Sequence, residues 1–301
     1  MSEQLKEDQL QYLAACLQLL DLDGYEKINL FEGLSHAKVS TFCALLFMEL
    51  IDTHSHVDVD VFIDDLEEVL SRARGAGVVA QILPGVDRAG WERLFSLCSK
   101  ERDLHPAIGL HPMYLQNHGW QDLDLLRKHA LGRELVAIGE IGLDYFVEDA
   151  NRAAQQELFE AQLTIAAEAE LPVLLHVRKA HDQVQATLRR LRFSRGGIVH
   201  AFSGSLQQAE QYLKMGFYIS ICGTVTYDRA TRIRRVATEI PLQSLVLETD
   251  SPDIPPVSHC RQRNSPEYLP EILSALAGLR GETEEEVALQ TTKNARSILG
   301  L

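Results

Sequence analysis

The sequence predicts an α/β protein of the (β/α)8 type, a TIM-type barrel. From Met48 onward, short apolar runs typical of strands alternate with helical patterns. Eight such strands occur within about 250 residues, which is the usual size of this fold. Ionisable side chains follow several of the runs, as they do at the C-terminal rim of a parallel barrel. An open, doubly wound sheet is the alternative architecture.

The predicted strands are apolar runs, as expected of parallel strands that are buried on both faces. They lie at residues 49–54, 78–84, 105–110, 134–140, 172–176, 197–200, 217–221 and 244–249. The helices between them are predicted near 64–76, 88–102, 121–131, 151–170, 181–193, 206–215 and 229–239. A helical tail is expected over about 267–299.

Residues 1–47 do not share this alternation. Leucines recur at helical spacing from Leu5 to Leu22, and Gly24 and Gly33 then break the pattern. We therefore expect an N-terminal extension over 1–47, helical or poorly ordered, and a barrel domain over 48–301. The extension is either a non-essential appendage or the result of a mis-assigned start. The alternative is a genuine helical extension that packs on the barrel or mediates self-association.

Composition excludes some classes of protein. A net charge of −14 disfavours a protein that coats long nucleic acid, although a few phosphates could still be bound locally. Five widely spaced cysteines suggest reduced thiols rather than a disulfide framework or a zinc finger. Neither a signal peptide nor an apolar run of about 20 residues is visible. We expect a cytoplasmic protein that does not associate with a membrane and does not require a protein partner.

Side chains that can bind metal ions follow the predicted strands. They are His54, His56, Glu140, His176, His200 and Asp250. The period of two in a strand points the first two imidazoles to the same face. A single buried histidine is usually structural, but an ionisable group in such a position must be paired or metal-bound to offset its desolvation. Six of them together predict a metal centre.

Four imidazoles and two carboxylates exceed the needs of one tetrahedral zinc with an open position. They suit two divalent ions that share a carboxylate. We expect Asp250 and the two histidines after the first strand to bind one ion, His176 and His200 to bind the other, and Glu140 to bridge them. Such ions activate water for hydrolysis, with Asp250 as the proton acceptor and Glu140 as the second catalytic residue. Zinc, manganese and magnesium all remain candidates.

Polar residues near the predicted strand ends are candidates for substrate binding. They are His111, Arg178, His181, Arg229 and Arg263. Guanidinium groups at the rim suit phosphate oxygens, to which they can donate two hydrogen bonds. There is no Gly-x-Ser-x-Gly motif and no P-loop, so serine catalysis and binding of nucleoside triphosphates are not predicted.

Five ordered motifs resemble the TatD-related deoxyribonuclease family of metallo-dependent hydrolases. They are Ile51-Asp-Thr-His-Ser-His56, Gly139-Glu-Ile-Gly-Leu-Asp144, Leu175-His-Val-Arg178, Val199-His-Ala-Phe-Ser-Gly204 and Leu247-Glu-Thr-Asp-Ser-Pro252. The segment at 199–210 looks most similar to the YjjV-like branch. The resemblance covers about 48–301.

This resemblance implies a metallo-dependent hydrolase barrel that cleaves phosphodiester bonds with divalent ions, often from the 3′ end of a nucleic acid. The six ligand positions of the family fall on the six residues named above. The family's Arg-Asn-Glu-Pro loop reads Arg263-Asn-Ser-Pro266 here, which puts the role of this loop in question. Glu140 stands where related amidohydrolases often have a carboxylated lysine, and this favours the deoxyribonuclease branch.

Three functions are therefore considered. The first is a deoxyribonuclease or 3′–5′ exonuclease that acts on nucleic acid ends or short oligonucleotides. The second is hydrolysis of another ester or amide, such as an aminoacyl-tRNA ester or a cyclic amide. The third is a non-catalytic barrel that serves as an interaction module. The cost of burying six unused ionisable groups disfavours the third.

Overall fold

The computed structural model describes residues 48–132, 134–146 and 151–301. Eight strands pair in sequence order, β1 to β8, and every pair is parallel. The strands are β1 Leu50–Asp52, β2 Val78–Gly85, β3 Leu104–Ile108, β4 Ala137–Asp144, β5 Val173–Arg178, β6 Gly197–Val199, β7 Phe217–Ile221 and β8 Leu245–Leu247. All eight predicted strands are confirmed.

The last strand lies beside the first. The backbone N–H of Thr53 donates to the carbonyl of Leu247 at 3.0 Å, and that of Asp250 donates to the carbonyl of His54 at 2.9 Å. The sheet is therefore a nearly closed barrel, as predicted. A doubly wound sheet would require a crossover in the strand order, so that alternative is excluded.

Nine α-helices surround the strands in the described part of the chain. They are α1 Leu66–Gly75, α2 Arg88–Lys100, α3 Trp120–Leu131, α4 Arg152–Glu168, α5 His181–Leu191, α6 Leu206–Leu213, α7 Thr231–Glu239, α8 Leu269–Arg280 and α9 Glu284–Leu299. The predicted helical tail consists of two helices, α8 and α9. Gly281, with φ +67°, ends α8 in the left-handed conformation, and Thr283 begins α9 with a capping box closed by Glu286.

The barrel interior is apolar, and one end of it is covered. A buried cluster takes side chains from seven strands and from Ala295 and Leu299 of α9. The same helix forms hydrogen bonds to the N-terminal ends of β1 and β8. Thr292 donates to the carbonyl of Glu49, and Asn294 donates to the carbonyl of Leu245, both at 2.7 Å. Since α9 closes the N-terminal end, a substrate approaches from the C-terminal ends of the strands.

Strand β4 carries a register shift between Ile138 and Ile141. Gly142 has φ +148°, and a Cβ atom there would lie 2.0 Å from the carbonyl oxygen of His176. Gly142 therefore allows β4 and β5 to approach closely, which sets Glu140 beside His176.

None of the described helices is both long enough and apolar enough to cross a membrane. The predicted N-terminal extension, 1–47, lies outside the described residues.

Candidate metal centre

Four predicted ligands converge at the rim of the barrel, where Glu140 lies within β4 and the other three follow β1 and β8. Nε2 of His54 lies 3.1 Å from Nε2 of His56 and 3.3 Å from Oε2 of Glu140. Oδ1 of Asp250 lies 3.7 Å from Nε2 of His54 and 3.8 Å from Nε2 of His56. These four atoms form the first group of the centre.

The other oxygen of Glu140 faces a second group of histidines. Oε1 lies 2.9 Å from Nδ1 of His176, 3.3 Å from Nε2 of His111 and 3.7 Å from Nε2 of His200. His200 also reaches Oδ1 of Asp250 at 3.7 Å. The other five predicted ligands thus lie around the carboxylate of Glu140, whose two oxygens face two different groups of donors.

The spacing of these atoms fits divalent metal ions. Metal–nitrogen bonds of about 2.0–2.1 Å place neighbouring ligand atoms roughly 2.8–3.4 Å apart, the shorter value in octahedral and the longer in tetrahedral geometry. The observed separations of the first group, 3.1–3.8 Å, are close to that range. Nitrogen and carboxylate oxygen are ligands for zinc and manganese, and the carboxylates also suit magnesium. The residues present therefore fit divalent ions.

His176 has the hydrogen bond that a metal-binding histidine usually needs. Its Nε2 lies 2.9 Å from Oδ2 of Asp144, a buried carboxylate that also accepts the backbone N–H of Phe146. Since Nε2–H donates to Asp144, the lone pair of Nδ1 points at Glu140 and is free for an ion. Asp144 was not among the predicted site residues, although its position four residues after Glu140 on β4 was a signal for it.

His200 has a similar but less well aligned partner. Its Nδ1 lies 3.1 Å from Oε1 of the buried Glu248. The two groups are not aligned well enough to form a hydrogen bond. The charge of Glu248 still favours a proton on Nδ1, which leaves Nε2 facing Asp250. The ring of His200 stacks on His54 at 3.6 Å between centroids. Sequence reasoning also missed Glu248, because residues inside an apparent apolar strand are usually assigned to packing.

Burial and charge set the protonation of the centre. Burial lowers the pKa of His56 to about 3, with His54 adding to the shift. Burial also raises the pKa of Asp250 well above its ordinary value, and Glu248 and Glu140 add to this while His200 opposes it. Burial opposes ionisation of Glu140, but the nearby histidines outweigh it and hold its pKa well below the usual range. His56 and Glu140 are thus held in the forms that bind a cation, a neutral imidazole and an ionised carboxylate. For His200, burial is outweighed by the charges of Glu248, Asp250 and Glu140, which raise its pKa to about 10.

His111 lies in the second group but has a different hydrogen-bond pattern. Its Nδ1 accepts the backbone N–H of Met113 at 3.2 Å. In the neutral ring the proton is therefore on Nε2, which faces Glu140 as a donor and has no free lone pair for an ion. Both ring nitrogens therefore have partners within the protein, and the expected role of His111 in substrate binding stays a prediction.

Two predicted phosphate-binding arginines lie at the rim. Arg178 is the last residue of β5, two residues after His176, and its guanidinium stacks on the ring of Phe146 at 3.6 Å. Arg229 precedes α7, and its guanidinium lies 5.6 Å from the ring centre of Tyr227. Both side chains are exposed, so both can meet a substrate.

The structure does not bring His181 to the centre. It is the first residue of α5 and is buried between Phe202 and Tyr212, with ring centroids 5.0 and 5.9 Å away. Burial lowers its pKa to about 4. The expectation that it binds substrate from the loop after β5 has no support in this geometry, because the helix turns the ring into the packing between α5 and α6.

Arg263 is also engaged elsewhere. Its guanidinium donates to both oxygens of Asp65 and to the carbonyl of Val61, at 2.8 Å, and lies 4.5 Å from the ring centre of Phe62. A guanidinium that donates hydrogen bonds to both oxygens of a carboxylate is not free to bind a phosphate. Arg263 ties the loop after β8 to the segment after β1, so the predicted contact with substrate is replaced by a structural one.

Replacing Arg263 with Ala should therefore affect stability more than binding. The loss of a bidentate ion pair and a backbone hydrogen bond, both partly exposed, should lower the free energy of unfolding by about 1–2 kcal/mol. Urea denaturation measures it. Arg229→Ala is the matched control and should leave stability within about 0.5 kcal/mol. Unchanged stability of Arg263→Ala together with a raised KM would restore the original interpretation.

A parallel (β/α)8 barrel with histidines and carboxylates gathered at its C-terminal rim defines a class, the metal-dependent hydrolases. The chain belongs to one family within it. The model of the TatD related DNase family matches residues 51–300, which confirms the resemblance given by the five motifs.

Similar proteins agree with this assignment. The chain is 40% identical over 259 residues to the uncharacterized metal-dependent hydrolase YjjV of Escherichia coli K12, covering 85% of this chain and 100% of that protein. The crystal structure of YjjV, described as a TatD homologue, superposes with a TM-score of 0.82 at 39% identity, covering 86% of this chain and 99% of that one. A 3′-5′ ssDNA/RNA exonuclease TatD from Klebsiella pneumoniae is 35% identical, covering 80% of this chain and 94% of that protein.

Proposed function

We propose that this metal-dependent hydrolase binds two divalent ions and cleaves phosphodiester bonds at the ends of single-stranded nucleic acids. The observation that carries the proposal is the orientation of Glu140. Its Oε2 faces His54 and His56, and its Oε1 faces His176 and His200. A carboxylate shared in this way is the bridging ligand expected between two ions.

The protein's own residues have distinct roles in this proposal. His54, His56 and Asp250 would hold one ion, and His176 and His200 the other. Bound divalent ions would lower the pKa of water and offset the negative charge of the phosphoryl group. Asp250 is placed to orient the attacking water and accept its proton, because its Oδ1 lies within 3.8 Å of both groups of histidines.

The rim supports a phosphodiester rather than a neutral substrate. Arg178 at the end of β5 and Arg229 on the loop after β7 are exposed, and both can donate paired hydrogen bonds to phosphate oxygens. The net charge of −14 limits this attraction to a few phosphates, which suits an end or a short oligonucleotide. The K. pneumoniae relative that is named an exonuclease of single-stranded DNA and RNA supports the same substrate class. Free Cys98, Cys222 and Cys260 are compatible with action in the cytoplasm, the compartment we propose.

Removal and return of metal tests this function. Chelation of the purified protein should abolish hydrolysis of a 3′-labelled single-stranded oligonucleotide, and Mg²⁺, Mn²⁺ or Zn²⁺ should restore it. The same preparation is assayed on double-stranded DNA, carboxylic esters and cyclic amides. The proposal would be contradicted if none of the ions restored cleavage of an oligonucleotide while an ester or amide was hydrolysed. That result would favour the alternative substrates.

A further inference from the structure

A cavity of about 710 Å³ opens beside the metal centre. Its walls come from the loop after β3 and from the first turns of α3 and α4, and include Pro112, Met113, Trp120, Leu123 and Leu158. Asp144, the hydrogen-bond partner of His176, also lines it. The cavity therefore adjoins the centre through Asp144, and its size lies within the usual range of small-molecule sites.

Large apolar side chains are exposed at this cavity. The side chain of Trp120 is 65% exposed and that of Met113 is 48% exposed. Tyr114, which is also exposed, continues this surface toward the centre, with its ring 5.7 Å from that of His111. Exposed aromatic groups clustered at a concave site usually mark a binding surface. None of them has a role in the hydrolysis described above.

Positive charge lies beside the cavity. Arg178, the last residue of β5, and Lys179, which follows it, both lie over the ring of Phe146, at 3.6 and 4.7 Å from its centre. Arg178 is the register partner of Asp144, which lines the cavity, so these cations lie next to the cavity. An apolar cavity that presents an exposed indole ring beside cations matches a ligand that carries a flat ring next to a phosphate, as every nucleotide does.

We propose that this cavity, formed around Trp120 and Met113, is the base subsite of the enzyme, where a nucleobase next to the scissile phosphodiester stacks on Trp120. The inference rests on the proposed function, because it takes the substrate to be a nucleic acid. Gln116, Asn151 and Glu157 supply polar groups at the edge of the cavity. Stacking tolerates any base, so the subsite selects single strands with unpaired bases rather than one sequence.

Tryptophan fluorescence gives a direct test of binding. The chain has two tryptophans, of which Trp91 is 2% exposed in the core and Trp120 is 65% exposed. A phosphorothioate tetranucleotide should quench the emission of the metal-loaded protein, and its fully abasic counterpart should not. Trp120→Phe should lack the quenching. Equal quenching by the two ligands, or none by either, would overturn the subsite.

Kinetics provide the second test. Trp120→Ala should raise KM for an oligonucleotide by roughly 5- to 100-fold, the range that base stacking provides, with kcat within about twofold. Trp120→Phe should keep most of the affinity. An oligonucleotide that is abasic on both sides of the cleaved bond should have the same raised KM with wild type and Trp120→Ala. Leu131→Ala, at the other end of α3 and 55% exposed, is the control and should behave as wild type.

The two proposals fail in different ways. If an oligonucleotide is cleaved with the same KM by wild type and Trp120→Ala, the base subsite is wrong and the function stands. If no oligonucleotide is cleaved under any ion, the proposed function is wrong. In that case the fluorescence titration is the remaining test of the base subsite. Quenching that depends on the bases supports the subsite, and absence of quenching overturns it.

Discussion

Replacement of Glu140 by Gln is expected to lower kcat for phosphodiester hydrolysis by at least roughly 10³-fold. The amide keeps the size of the side chain but removes its charge and presents only one oxygen. Only one of the two groups of histidines could then face a carbonyl oxygen, and the other would face an NH₂ group. The variant should also bind at least one ion fewer than wild type, as measured by metal analysis after dialysis.

The fold should survive this change. Glu140 is surrounded by His54, His111 and His176. These imidazoles can still donate hydrogen bonds to the amide oxygen and accept them from the amide NH₂ group. Circular dichroism and the urea midpoint check this. Glu210→Gln, an exposed position on α6, is the matched control with the same loss of charge. Wild-type metal content and turnover in Glu140→Gln would contradict the bridging role.

Asp250→Asn has the second largest expected effect, a fall in kcat of roughly 10²- to 10⁴-fold. The amide cannot accept the proton of the attacking water, although its carbonyl oxygen still fits beside His54 and His56. At least one ion should therefore remain bound while turnover is lost. Metal analysis and single-turnover kinetics on an oligonucleotide measure the two quantities.

Asp253→Asn is the matched control for this variant. Asp253 lies on the same loop, and its backbone N–H donates to the carbonyl of Asp250, but its side chain is exposed. The same chemical change there should alter kcat by less than about threefold. A near-wild-type rate for Asp250→Asn would show that another group accepts the proton.

Local patterns were sufficient to predict the barrel and the set of candidate ligands. Each strand is a short apolar run, and the rule that sites form at the C-terminal ends of barrel strands brings His54, Glu140 and Asp250 together without knowledge of any long-range contact. The division of the C-terminal tail could also have been found, because Gly281 and the pair Thr283 and Glu286 are a helix stop and a capping box.

Roles that depend on distant contacts could not be predicted. The ion pair of Arg263 joins it to Asp65, 198 positions away, and no local feature distinguishes it from the free guanidinium of a phosphate site. His181 follows β5 closely in sequence, but the packing of α5 against Tyr212 decides where its ring points. The tautomer of His111 depends on a backbone N–H at Met113, whose direction is set by the conformation of the loop.

The two-ion centre around Glu140 is tested most directly by a crystal structure of the protein loaded with Mn²⁺ or Zn²⁺, with anomalous diffraction recorded at the metal edge. We expect two anomalous peaks, one beside Oε2 of Glu140 near His54 and His56, and one beside Oε1 near His176 and His200. A single peak at full occupancy, or two peaks that do not share Glu140, would contradict the account.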